Sequence, residues 1–132
     1  VILDTHVWIF YATERGLDPK GLRSIERARK LGRLQIASVT LWEVALLVQE
    51  RRLRLTLPTS EWFRDALTLT GVHIAPLDVA IAIQAARLAR PLRDPADCQV
   101  VGTAIKIGVP LATRDARILE NAKPLGLDVI EV

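Results

Sequence analysis

Five acids in this sequence stand where chemistry could be done: Asp4 in VILDTH, Glu43 in LWEVALLV, Asp94 and Asp97 in RDPADC, and Asp115 in PLATRD. Asp4 closes a short apolar run that reads as a buried strand, and an ionised carboxylate there is costly unless something offsets it. It either caps the next helix or holds a cation. Glu43 lies in a stretch that is apolar on nearly every side of its helix, which places it in the core or in a partner interface. A lone charge there is neutralised or functional. Each acid also has a plainer role available. Thr40 and Glu43 have the spacing of a capping box, Asp94 before Pro95 suits an N-cap, Asp97 sits in a first turn where the macrodipole favours it, and Asp115 can cap the segment after it. The set says more than any member. Like charges a few ångströms apart raise one another's pKa, and the natural occupant of an all-oxygen cluster is Mg2+ or Mn2+.

The elements that must position these acids follow from pattern and punctuation. Short apolar runs at 1–4, 34–37, 72–75, 109–112 and 127–131 read as strands. Helical patterns separate them at 6–12, 19–31, 39–54, 59–70, 78–89, 95–107 and 115–122. Pro19 and Pro95 suit first helical turns, and Gly32, Gly71 and Gly108 suit helix ends. Such alternation predicts an α/β fold, a three-layer α/β/α sandwich around a mostly parallel sheet of about five strands. Ligands of such sheets bind at the carboxyl ends of strands near the point where strand order reverses. The acids follow the first, second and fourth strands closely enough to converge on that edge.

Composition narrows the classes. The 132 residues, half of them hydrophobic, make one domain spanning 1–132 with a core of its own. The single cysteine, Cys98, excludes an internal disulfide and a cysteine-based zinc site, and fits a reducing, cytoplasmic setting. The apolar start carries Asp4 and His6 and lacks a basic leader, so it does not read as a secretory signal. No run approaches the roughly 20 apolar residues of a membrane span. Net charge is +3, with 14 Arg to 4 Lys, which mildly favours a polyanionic partner. Arg51, Arg52 and Arg54 form the densest basic run, able to grip RNA or simply to solvate a helix end.

With LDTHVW at 3–8, SVTLWEVA at 38–45, RDPADCQVVGTA at 93–104 and LATRD at 111–115, the sequence resembles the PIN-domain proteins, specifically the VapC-type ribonuclease toxins of toxin–antitoxin pairs. The resemblance implies a site of Asp4, Glu43, Asp97 and Asp115 that holds Mg2+ or Mn2+ and catalyses RNA hydrolysis, with Asp94 auxiliary. Thr5 and Thr113 match small hydroxyl residues beside the family's site, and Arg114, beside Asp115, is either a contact for substrate phosphate or an exposed arginine with no role. The implied products carry 5′-phosphate and 3′-hydroxyl ends, and the implied partners are RNA, a cognate antitoxin and a second copy in a homodimer, with no membrane. One departure stands out: many relatives have Arg directly after DPxD, where this chain has Cys98. No His lies near Cys98 in sequence, so it reads as a small buried filler.

Two rivals are weaker. A haloacid-dehalogenase-type phosphotransferase also begins with a strand-end Asp, but it needs a second Asp two residues on, where this chain has His6. The serious alternative is a non-catalytic RNA- or protein-binding module retaining the fold, which would tolerate a broken set of acids; here all are present. Trp8, Phe10, Tyr11, Trp62 and Phe63 read as core packing more simply than as a docking surface.

Overall fold

The computed structural model describes residues 1–132 in full. Five strands, β1 (Ile2–Leu3), β2 (Gln35–Ala37), β3 (His73–Ala75), β4 (Leu111–Thr113) and β5 (Val129–Glu131), form one sheet in the order β3-β2-β1-β4-β5, every pair parallel. Eight helices accompany them: α1 (Thr5–Ala12), α2 (Pro19–Lys30), α3 (Ser38–Gln49), α4 (Thr59–Thr70), α5 (Val79–Arg87), α6 (Ala89–Leu92), α7 (Pro95–Ile107) and α8 (Ala116–Leu125).

Alternation along the strands divides the core in two. Leu3, Ile36 and Ala112 join Val7, Trp8, Ile25, Val44 and Trp62 on one face, while Ile2, Ala37, Ala75 and Leu111 join Ala85, Val101, Ala104 and Ile118 on the other. Period-two alternation with both faces apolar is what a parallel sheet buried between helix layers requires. On the first face Trp8 meets Trp62 edge-on at 5.4 Å and stacks with Phe63 at 6.2 Å. Its indole N–H donates to the Thr70 hydroxyl, so the buried ring leaves no polar atom unpaired. On the second face α7 lies close against α5: a Cβ on Gly102 would stand 3.0 Å from the Ala85 backbone. Glycine there brings the helix that carries Asp94 and Asp97 hard against its neighbour.

Helix ends depart from the sequence expectation in three places. α3 stops at Gln49 rather than 54, because Arg51 adopts a left-handed φ of 58° and closes the helix with bonds from its own N–H to Val48 and from the Arg52 N–H to Leu47. The helical pattern continued through RRLR, and no Gly or Asn marked the stop. The stretch expected at 78–89 holds α5, which ends at Arg87, and a separate one-turn α6 runs on to Leu92, closed by Arg93, whose φ is also positive at 65°. α8 runs past Pro124 to Leu125 and ends at Gly126, whose φ of 65° makes the helix stop. β4 lies at 111–113 instead of 109–112, which brings Thr113 into the strand and buries it.

Candidate active site

The sheet reverses its order between β1 and β4, and both strands deliver chemistry at their carboxyl ends. Asp4 follows β1 directly at the N-cap position of α1, yet its side chain caps nothing. It is 5% exposed, and its Oδ2 accepts the Thr113 hydroxyl at 2.7 Å. The same hydroxyl oxygen accepts the Asp115 backbone N–H at 3.0 Å. A single threonine thus ties the two strand ends together across the switch point. The cap-or-cation choice for Asp4 resolves structurally against the cap.

Glu43 is also no cap. α3 begins at Ser38 with Ala37 at its N-cap, so Thr40 is already inside the helix and the Thr40–Glu43 capping box does not form. The Glu43 carboxylate instead accepts the hydroxyl of buried Thr5 at 2.5 Å, a contact between α3 and α1. Asp94 and Asp115 do cap. Asp94 Oδ1 accepts the N–H groups of Ala96 and Asp97 at 2.8 and 3.0 Å, and Asp115 Oδ1 accepts the Ile118 N–H at 3.0 Å. In each case every backbone bond falls on Oδ1, which leaves Oδ2 free to face a ligand. Asp97, in the first turn of α7, caps nothing.

All five acids line one cavity of about 310 Å3, together with His6, Trp42, Glu50 and Arg52. Glu50 and Trp42 were not singled out from the sequence, and Arg52 stood only within a basic run able to grip RNA or to solvate a helix end. The signal for Glu50 was there, since Glu43, Leu46, Leu47 and Glu50 form an i, i+3, i+4, i+7 stripe that faces the cavity along α3. Arg114 lies outside it. Residues on an extended run alternate sides, so Thr113 and Asp115 turn toward the site and Arg114 turns away. Its guanidinium donates to the Gly16 carbonyl at 3.3 Å and sits 4.8 Å from the Phe10 ring centre. Cys98 is 6% exposed and packed in the second core, as a filler should be, and burial pushes its thiol pKa up.

The electrostatics of the cavity are those of crowded carboxylates. Burial raises the pKa of Asp97 to about 7, with repulsion from Asp94, Asp4, Asp115 and Glu43 adding to it. Asp4 and Glu43 are raised as well, chiefly by burial, against the lowering effect of their threonine hydroxyls. As they stand, no three His, Cys, Asp or Glu side chains converge closely enough to enclose one ion. The chemistry of the donor set nevertheless fits a hard divalent cation. It consists of carboxylates under mutual repulsion around one cavity, with a single guanidinium to answer them.

Residues 1–124 match the family model of the PIN domain. The chain belongs to the PIN-domain family. In sequence this PIN domain is similar to ribonuclease VapC22 of Mycobacterium tuberculosis, 28% identical over an aligned length of 128, covering 94% of this chain and 93% of that protein. In fold it is similar to a chain in the crystal structure of VapBC2 from Rickettsia felis bound to a promoter DNA fragment. The TM-score there is 0.72 at 14% identity, over 99% of this chain and 97% of that one. It is similar also to a chain of DNA-bound VapBC from Salmonella typhimurium, with a TM-score of 0.68 at 22% identity over 98% and 96% of the two chains.

The threonine link makes a prediction for this PIN domain. Thr113→Val keeps the shape of the side chain and removes both the donor to Asp4 and the acceptor for the Asp115 N–H. The buried Asp4 oxygen is left unpaired, so chemical denaturation is expected to show a loss of about 1–3 kcal/mol at neutral pH. A stability equal to that of the unaltered chain would mean that water replaces the hydroxyl and that the link holds nothing.

Proposed function

We propose that this PIN domain is a Mg2+- or Mn2+-dependent endoribonuclease that hydrolyses RNA phosphodiester bonds at the carboxylate cavity, as the toxin of a toxin–antitoxin pair. The observation that carries this reading is the fate of Asp4 and Glu43. Asp4 is buried and Glu43 half-buried, both with raised pKa, neither makes a helix-cap bond, and each accepts a threonine hydroxyl while lining one cavity. A purely structural chain gains nothing from that arrangement. The likeness to ribonuclease VapC22 supports the substrate class.

Asp4, Glu43, Asp97 and Asp115 would hold the cation, with Asp94 beside them. When bound, such a cation activates water and offsets the charge that develops on the phosphoryl and leaving oxygens. The chain's own contribution is positional. Thr113 keeps Asp4 oriented, Thr5 keeps Glu43 oriented, and the caps made by Asp94 and Asp115 fix those carboxylates to rigid helix starts. Asp97 can carry a proton near neutral pH while the cavity is empty and release it when a cation arrives.

The partner assignments belong to the same reading. An antitoxin is supported by the VapBC complexes among the structural relatives. A homodimer is supported by an apolar surface on and beside α5, where Val79 is 77% exposed, Ile83 52% and Leu77 49%. No helix is long and apolar enough to cross a membrane.

The purified chain, given an unstructured RNA, is expected to cut it internally with Mn2+ present and not in EDTA, leaving 5′-phosphate and 3′-hydroxyl ends. End-labelled products on a sequencing gel check this. An intact substrate across Mg2+ and Mn2+ conditions would favour the binding-module alternative.

A further inference from the structure

We propose that Trp42 and Arg52 form a nucleotide subsite on the rim of the carboxylate cavity: Trp42 stacks an unpaired base and Arg52 holds a neighbouring phosphate. The inference rests on the nuclease reading and adds to it two residues that bind the substrate beside the acids.

Trp42 is the odd member among three tryptophans. Trp8 and Trp62 are buried, at 0% and 7% exposure, and pack into the aromatic cluster between α1 and α4. Trp42 is 59% exposed, next in sequence to Glu43 and on the wall of the same cavity. The core does not use it. A flat indole left in water beside a phosphodiester-cleaving site is the platform on which bases stack, and every base offers such a face only when it is unpaired.

Arg52 is the single permanent cation lining the cavity, among six acids that include Glu50. It is set there by the end of α3. Arg51 takes a left-handed backbone with φ of 58°, a conformation that favours glycine, and the chain turns back so that the Arg52 N–H bonds Leu47 at 2.9 Å. A strained non-glycine residue at this point is held by its surroundings, and its effect is to return Arg52 to the cavity wall. Arg52 Nη1 meets Glu50 Oε2 at 3.4 Å, which uses one of five N–H donors and leaves much of the guanidinium fork for a phosphate. Arg114, facing Gly16 and Phe10, does not supply this charge.

The test uses two readouts. On a short unstructured oligoribonucleotide with Mn2+, Trp42→Ala and Arg52→Ala are each expected to raise KM about tenfold and to lower kcat far less. Trp42→Phe and Arg52→Lys should recover part of the loss. Binding of the same oligonucleotide, measured on chain inactivated by Asp4→Asn, should quench the exposed tryptophan's emission, and a duplex of the same sequence should not. Arg52→Ala should also flatten the dependence of log affinity on log salt by about 0.7. Arg64→Ala, an exposed arginine on α4 outside the cavity, should change neither quantity. If the unaltered chain cuts RNA while both alanine variants keep KM, affinity and quenching, the subsite is wrong. Loss of hold on a protein partner alone, with RNA binding intact, would overturn it too and make the rim a protein-docking surface. If the unaltered chain fails to cut RNA, the nuclease reading fails by itself, and oligonucleotide binding and quenching still decide the subsite.

Discussion

Replacing Asp4 by Asn is expected to lower divalent-dependent RNA cleavage by more than about 100-fold, the scale reached by loss of a mere supporting partner of a metal ligand, while the metal-free chain becomes equally or more stable. The substitution is nearly isosteric and keeps an oxygen for the Thr113 hydroxyl, so the packing of β1 against β4 survives. What it removes is a charge that burial disfavours, as the raised pKa of Asp4 records. Activity and stability therefore move in opposite directions, as they should where a site is held against the preference of the fold. A cap would behave otherwise: its loss lowers stability and has no reason to touch cleavage. Melting of both chains in EDTA, beside cleavage assays in Mn2+, reads the two quantities. Retained cleavage, or a clear fall in metal-free melting temperature, would remove Asp4 from the site as drawn.

The second large effect is the pH dependence of stability without metal. Asp97 titrates at about 7 in the folded chain against an ordinary 3.8, so between those values the folded state holds a proton that the unfolded state has released. Stability then falls as pH rises through that window, the reverse of the usual behaviour of a paired carboxylate. Asp4 and Glu43, both raised, push the same way. In EDTA the melting temperature is expected to be higher near pH 5 than near pH 7.5, with the decline levelling off above about 7. Mn2+ should reverse it, because a cation binds the ionised set. A free concentration one hundred times Kd adds about 2.7 kcal/mol, a rise of several degrees in melting temperature that grows with pH. Calorimetric scans at four or five pH values, with and without Mn2+, measure both slopes. A metal-free melting temperature that climbs steadily from pH 5 to 7.5, with no response to Mn2+, would show that the acids neither crowd nor share an ion.

How much of this was legible in the sequence differs from residue to residue. α4 and α7 fall where the pattern places them, since Gly71 and Gly108 in left-handed conformations and Pro95 at a helix start are local signals that the structure honours. The end of α3 was illegible. A left-handed arginine leaves no signature, and the helical pattern of 39–54 runs straight through it. That mattered for function, because the turn at Arg51 is what carries Arg52 to the cavity. Arg114 shows the converse: its position beside Asp115 suggested a shared role, but neighbours on an extended run face opposite ways.

By itself the sequence determined the order and kind of the elements, the parallel arrangement and the acids that end its strands, because strand and helix periodicity, proline and glycine punctuation and the cost of a buried charge all act locally. Only the tertiary structure decided which acids cap a helix and which do not. It also decided that Thr113 joins Asp4 to Asp115 across the switch point, and that Trp42 and Arg52 complete the wall. Those outcomes depend on which oxygen a backbone N–H reaches and which face a side chain turns to, and they exist only once segments as far apart as Asp4 and Thr113 have packed side by side.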